Sequence, residues 1–302
     1  MSLVEFASSV AKRYLNDQRV DALRAVYLEG RNRLAPALRF VHGTFTAEDL
    51  RAHLEQRIGR DFEILMVHGS VNGMRPMFSG SPLELVRMLV DYCGSTRTLA
   101  MPAFCFGDDG HGVADTFIKS PRFDLTRTPS QMGLASELFR RMPGVVHSRH
   151  PVYRISALGP LAAALASGHE NATSPAGIGS PFEFMAARET CVLGIGKPVQ
   201  VLTQVHHADE LMRDAFPVPS REGRPLQMTL IERGREFPFE LRSRSVDGKI
   251  NVWRLRQILS PGTLQEWSFH HVPMFSVRAG EVTRQLVKAA ERGVTLYEPH
   301  GS

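Results

Sequence analysis

The segment Thr203–Glu210, read as TQVHHADE, concentrates the side chains best suited to acid–base chemistry. His206 and Asp209 are three residues apart, so on a helix both project from one face. An imidazole oriented by a carboxylate can serve as a general base. Thr203 is placed to cap that helix, and His207 and Glu210 are expected on its solvent side. Two further segments offer small or hydroxyl-bearing residues: His68-Gly69-Ser70, and His147-Ser148-Arg149-His150-Pro151. Backbone amides at such turns can hold phosphates or polarise a thioester oxygen.

The cluster His206, His207, Asp209 and Glu210 also raises the question of a metal. Neither H-E-x-x-H nor a Cys/His framework accompanies it, so no metal is expected. Other signatures fail as well. No G-x-G-x-x-G follows the first predicted strand, Gly194-Ile195-Gly196-Lys197 lacks Walker A spacing, and Gly69-Ser70 is not a G-x-S-x-G elbow. The three cysteines, Cys93, Cys105 and Cys191, sit in apolar surroundings without basic neighbours and read as reduced core residues.

Of the 302 residues, 43% are hydrophobic and 22% charged, enough apolar material for a substantial core. The formal charge is +5, but the basic residues are interleaved with acids and no basic run carries aromatics. Nucleic acid is therefore not an expected partner; a small polyanion fits a modest positive surplus better. No apolar run is long enough to span a membrane. The amino-terminal stretch has no signal-like apolar region, so a cytoplasmic location is expected.

These residues need a scaffold, and the hydrophobic patterning supplies it. Residues 1–42 are predicted as a helical extension, an arm for packing or for a homodimer, broken at Gly43. Thr46 caps a helix carrying Leu50, Leu54 and Ile58 inward. Phe62–Val71, Thr98–Phe106 and Thr190–Gly196 are apolar runs that read as buried strands. Pro82–Tyr92 and Gln131–Arg141 are predicted helices, as is Pro160–Ser167, and Val152–Leu158 is strand-like. Asp108–Pro121 is predicted as a loop over the site. Thr203–Ala215 starts a helix, and Glu281–Arg292 is the last one. Gln227–Glu232 and Glu236–Arg242 alternate around Gly234 and predict an antiparallel hairpin at the sheet edge. Residues 43–302 thus form one α/β domain in which sites form beyond the carboxyl ends of parallel strands.

The order of segments resembles the antibiotic N-acetyltransferase family, whose best-known members acetylate the 3-amino group of aminoglycosides. TAEDLRAHLEQ is similar to the family's opening helix, and MVHGSVNG to its first strand end. LAMPAFCF is similar to its MP-containing strand. FDLTRTPSQMGLASELFRRMPGVVHSRHP resembles the helix leading into its RS.HP segment. GIGSPFEFM resembles its SP turn, and VLGIG with LTQVHHAD its final strand and H..E helix. The collinear likeness spans residues 44–215. It implies a mixed central sheet flanked by helices, an α/β/α sandwich, with the helical extension before it and the hairpin after it. It also implies direct acetyl transfer from acetyl-CoA to a primary amine in a ternary complex.

Carried over by the resemblance, His206 is the catalytic base and Asp209 its acid partner. His68, Gly69 and Ser70 lie near the pantetheine and pyrophosphate, with Ala103, Phe104 and Ser148 as further CoA contacts. His150, Thr203 and Glu210 fall on the acceptor side. Amides near Ser70 or along 103–105 are the expected oxyanion donors. The chain departs from the family at three places: Ala103 replaces a threonine, Asp209 a glutamate and His147 an arginine. These departures, with an Arg-rich stretch at 221–256, keep two alternatives open. One is an amino sugar on a nucleotide carrier, as in surface-polysaccharide assembly; the other is a non-catalytic CoA- or partner-binding role.

Overall fold

The computed structural model describes residues 29–30, 33–107 and 112–298, so residues 1–28 of the expected arm lie outside the described residues. Helix α1 (Ala35–His42) buries none of its side chains and ends at Gly43, whose φ of 73° stops the helix where the sequence predicts. Helix α2 (Ala47–Arg57) opens on a capping box: the Thr46 hydroxyl accepts the Asp49 amide while the Asp49 carboxylate accepts the Thr46 amide.

Strand β1 (Ile64–Gly69) leads into a single turn, α3 (Val71–Met74), capped by Ser70. Then come α4 (Pro82–Cys93), β2 (Thr98–Pro102), α5 (Val113–Lys119), β3 (Arg122–Asp124) and α6 (Leu134–Arg140). They are followed by β4 (Val146–His147), β5 (Ile155–Leu158), α7 (Ala162–Ala166), α8 (Pro181–Ala186), β6 (Thr190–Ile195) and α9 (Val205–Met212). The last third holds β7 (Ser220–Glu222), β8 (Leu226–Glu232), β9 (Arg235–Leu241), β10 (Arg244–Val246) and β11 (Lys249–Ile250). It closes with α10 (Leu255–Ile258), β12 (Gln265–Phe269), β13 (Val272–Arg278), α11 (Ala279–Ala290) and β14 (Tyr297–Glu298).

Seven strands form the main sheet in the order β12-β13-β6-β1-β2-β5-β4. β1 runs parallel to β2 and to β6, with Ile64 opposite Thr98 and Thr190, and the outer pairs are antiparallel. Side chains along β1 alternate between two cores. Leu65 and Val67 join Leu50, Leu54, Leu85, Leu89 and Phe139 from α2, α4 and α6. Ile64 and Met66 join Phe182, Met185, Val205, Val282 and Leu286 from α8, α9 and α11. A strand buried on both faces needs helices on both, which makes the three-layer α/β/α arrangement.

Two expectations are corrected. Asp108–Pro121 is not only loop: it contains α5, whose Phe117 packs on Phe123 and the β8–β9 hairpin. That hairpin is not on the edge of the main sheet. It pairs with β3 in a separate three-stranded sheet, because Met228, Leu230, Phe239 and Leu241 have their own core with Phe123 and Leu125. The edge is instead β12–β13, a hairpin whose turn at His270-His271 takes positive φ without a Gly or Asn signal in the sequence. The three cysteines are buried and free.

Candidate active site

The carboxyl ends of β1 and β6 lie side by side, with His68 opposite Gly194 and Gly69 opposite Ile195. The loops beyond them pack backbone on backbone. A Cβ at Gly73 would come within 2.0 Å of the Gly196 oxygen, so only glycine permits this approach. The Ser70 amide donates to the Ile195 oxygen at 2.9 Å and its hydroxyl accepts the Gly73 amide at 3.0 Å. His68 is buried, and burial with the Lys197 charge holds its imidazole down to about 4.

Helix α9 follows β6 after a 3-10 turn at Val199–Val201 and carries His206, half-buried, with a pKa lowered by burial and partly restored by the Glu210 charge. The Tyr153 ring lies 6.3 Å from that imidazole, between centroids, and stacks at 4.8 Å on Phe104. Burial, Asp209 and Glu210 push the Tyr153 hydroxyl up to about 12. Tyr153 is placed by His150, whose Nδ1 accepts the Val152 and Tyr153 amides at 3.1 and 3.0 Å. That fixes His150 as neutral, protonated on Nε2. His150 in turn stacks on His169 at 4.6 Å. Ser148 is fully buried: its hydroxyl accepts the Ile155 amide and donates to His169 Nδ1 at 2.8 Å, while His169 Nε2 donates to the Pro175 oxygen.

Asp209 does not hydrogen-bond His206. Its Oδ2 accepts the Tyr297 hydroxyl at 2.5 Å, its Oδ1 is buried without a partner among the described residues, and burial lifts its pKa to about 6. Glu210 is also lifted by burial. Arg244 stands 4.0 Å from the Glu210 carboxylate and donates to the Asp209 and Arg213 oxygens, tying off the last turn of α9.

The structure therefore gathers some of the predicted residues and separates others. His206 and Glu210 share α9, with His206 beside Tyr153 and through it Phe104 just beyond β2, while His68, Gly69 and Ser70 stand at the carboxyl end of β1. Ala103 and Phe104 are buried, Phe104 beneath Tyr153. The Ala103 and Cys105 amides are spent on the Arg154 and Val152 oxygens, and that of Ser70 on Ile195, so these three are not free oxyanion donors. Thr203 does not cap α9: Gln204 holds the cap position, and the Thr203 hydroxyl is buried without a partner among the described residues. His207 does not face solvent, because α9 packs against the 174–180 turn and His207 Nδ1 donates to the Ala176 oxygen at 2.7 Å.

Sequence reasoning missed Tyr153, Tyr297, Arg244 and Arg154. Tyr153 was findable, three residues past His150 in the strand-like stretch Val152–Leu158 that follows the singled-out segment. Arg154 is wholly buried, donating to the Ala103, Leu125 and Thr128 oxygens, and burial lowers it to about 10. A cavity of about 530 Å³ lined by Arg57, Cys191, Ser276 and Arg278 lies at the amino end of β6, away from His206. Among the described residues no group of three or more His, Cys, Asp or Glu side chains is arranged to hold a metal, and no helix is long and apolar enough to cross a membrane.

Comparison with known proteins adds an independent line. The aminoglycoside 3-N-acetyltransferase family model matches residues 66–291. Aminoglycoside N(3)-acetyltransferase VII of Streptomyces paromomycinus is 31% identical over 161 residues, covering 50% of this chain and 55% of the relative. Aminoglycoside N(3)-acetyltransferase III of Serratia marcescens is 27% identical over 205 residues, 65% of this chain and 74% of the relative. The chain thus spans little more than half the length of the first of these relatives. Among solved structures, sisomicin-bound AAC-VIa superposes with a TM-score of 0.67 at 21% identity, covering 83% of this chain and 99% of that one. AAC-IIIb with CoASH gives 0.66 at 22%, covering 85% and 100%. These superpositions establish the shared fold.

Proposed function

Because the chain belongs to the aminoglycoside 3-N-acetyltransferase family, we propose that it transfers an acetyl group from acetyl-CoA to a primary amine of a polycationic aminoglycoside or amino-sugar acceptor, directly and with His206 as general base. The observation that carries this is the placement of His206: half-buried on α9 beside Tyr153, with its pKa lowered by burial so that it is neutral near pH 7. A neutral imidazole accepts a proton; a permanently charged one cannot.

Acetyl-CoA supplies the activated acyl group. Gly69 at the end of β1 and Ser70 just past it, with Lys197 beyond β6, would hold its diphosphate. What supports this is the tight glycine-dependent packing of the two loops and the positive charge that acts on His68. His206 takes the proton of the attacking amine as the nitrogen bonds to the acyl carbon. The carbon–sulfur bond breaks, and the proton passes on to the departing sulfur, leaving an amide and CoA thiol. Tyr153 forms an aromatic wall that limits water at the imidazole.

The local charge favours a cationic acceptor over the nucleotide-linked one. Asp209 and Glu210 bring two carboxylates onto the helix of His206; of the two guanidiniums whose charge reaches Glu210, Arg213 is paired with Glu222, which leaves Arg244. The positive surplus of the whole chain therefore does not describe this site.

Thiol release from acetyl-CoA over a panel of aminoglycosides, simple amines and nucleotide-linked amino sugars tests the reading. Polycations should be the best acceptors, and His206→Asn should lower turnover by at least about 100-fold. Wild-type turnover in that variant would remove His206 as the base. Tight acetyl-CoA binding without thiol release on any amine would leave a binding protein rather than a transferase.

A further inference from the structure

We propose that Tyr297 is a positioning residue that divides the two carboxylates of α9 between separate tasks, Asp209 to the carboxyl-terminal strand and Glu210 to His206. This rests on the reading of His206 as the base. It goes beyond that reading because Tyr297 lies outside the matched family region, which ends at residue 291.

Tyr297 is held firmly. Its strand β14 pairs with β11, Ile250 opposite Tyr297. Its amide is bound by the Thr295 hydroxyl at 3.2 Å, and its carbonyl accepts from Arg254 at 3.2 Å. The ring packs edge-on against Phe216 at 5.8 Å. From this fixed ring the hydroxyl reaches Asp209 Oδ2 at 2.5 Å across 88 residues of chain. Asp209 is 5% exposed and its other oxygen has no partner among the described residues, so Tyr297 is its principal side-chain donor. A buried carboxylate with one satisfied oxygen is costly unless something uses it.

The consequence for the base follows from geometry. One oxygen of the Asp209 carboxylate is anchored to Tyr297 and the Asp209 carbonyl to Arg244, so the carboxylate is tethered toward β14 and makes no hydrogen bond to His206. Glu210, the next residue, is the carboxylate whose charge acts on His206. The groups facing Asp209 are Tyr297 from β14, Glu210 on its own helix, Arg244 from β10 and Tyr153 from the turn before β5. Without the Tyr297 hydroxyl, Asp209 loses a bond that favours its ionised form and is freed to compete with Glu210 for the imidazole.

The test compares wild type, Tyr297→Phe, Asp209→Asn and the double variant. Tyr297→Phe keeps the ring and its contact with Phe216. By carbon-13 carboxylate NMR, the Asp209 midpoint should rise above its starting value of about 6. In thiol-release assays kcat should fall about tenfold while the KM for acetyl-CoA holds. In the Asp209→Asn background the same substitution should be nearly silent. Difluorotyrosine in place of Tyr297, a stronger donor of the same shape, should move the midpoint down, and it serves if Tyr297→Phe does not fold. An unmoved midpoint, or fully multiplicative effects of the two substitutions, would overturn the proposal. The NMR arm needs no turnover, so an absence of thiol release in the wild type would defeat the transferase reading while Tyr297 is still decided by the titration.

Discussion

Acidification should destabilise this protein between pH 6.5 and 4, and the structure sets the size of the effect. His68 and His169 are buried at 6% and 1% exposure, and burial holds each from an ordinary 6.5 down to about 4. Both are neutral in the folded and unfolded chain above pH 6.5. Below it the unfolded chain takes up protons that the folded chain refuses, so stability falls as pH drops toward 4. At pH 4.5 each histidine costs about 2.5 kcal/mol relative to pH 7.5. His150, held well below its ordinary range by burial, and His147 act in the same direction.

Asp209 opposes them. Its folded pKa, about 6 against an ordinary 3.8, penalises the native state above pH 6 and relieves it on acidification, returning about 2 kcal/mol by pH 4.5. Glu210, also raised, adds to that relief. The histidines outweigh the carboxylates by at least about 3 kcal/mol, which at about 2.1 cal/mol/K of unfolding entropy per residue lowers the melting temperature of this 302-residue chain by about 5 °C. Calorimetry from pH 7.5 to 4.5 measures it, and His169→Asn should make the decline shallower. A melting temperature that is flat or rises toward pH 4.5 would refute the burial argument.

Three substitutions probe other parts of the framework. Gly73→Ala puts a Cβ 2.0 Å from the Gly196 oxygen, so the two loops must separate; a loss of about 1–3 kcal/mol by chemical denaturation and weaker acetyl-CoA binding by calorimetry are expected. Arg154→Met removes the donor to the Ala103, Leu125 and Thr128 oxygens and should cost about 3 kcal/mol or more in urea unfolding, since buried carbonyls are left unpaired. Glu210→Gln withdraws the charge that supports the His206 imidazolium, so the acidic limb of the kcat/KM profile should move to lower pH; an unchanged profile would show that Glu210 does not act on the base.

Much of the scaffold was legible because it rests on local rules. Continuous apolar runs that alternate between two cores on β1 and β6 admit only a sheet covered on both faces. The cap at Thr46 places one helix start to the residue. The β12–β13 hairpin escaped notice because its turn uses two histidines at positive φ, a conformation that residue identity does not announce. The β8–β9 hairpin was recognised as a hairpin, but its place was not, since alternation tells which face is apolar and not which core will receive it.

The same division runs through the site. Residue spacing determined that His206 and a carboxylate share the start of a helix beyond a buried strand, and the likeness of six segments in order pointed to one family. It could not determine which carboxylate serves the imidazole. Helical periodicity puts both Asp209 and Glu210 within reach, at three and four residues on. Tertiary structure distinguishes them: the Tyr297 hydroxyl binds Asp209 from a strand 88 residues away, and Arg244 seals the helix end from another. Long-range partners are set by how elements pack around the sheet, and the local pattern of either segment carries no trace of the other.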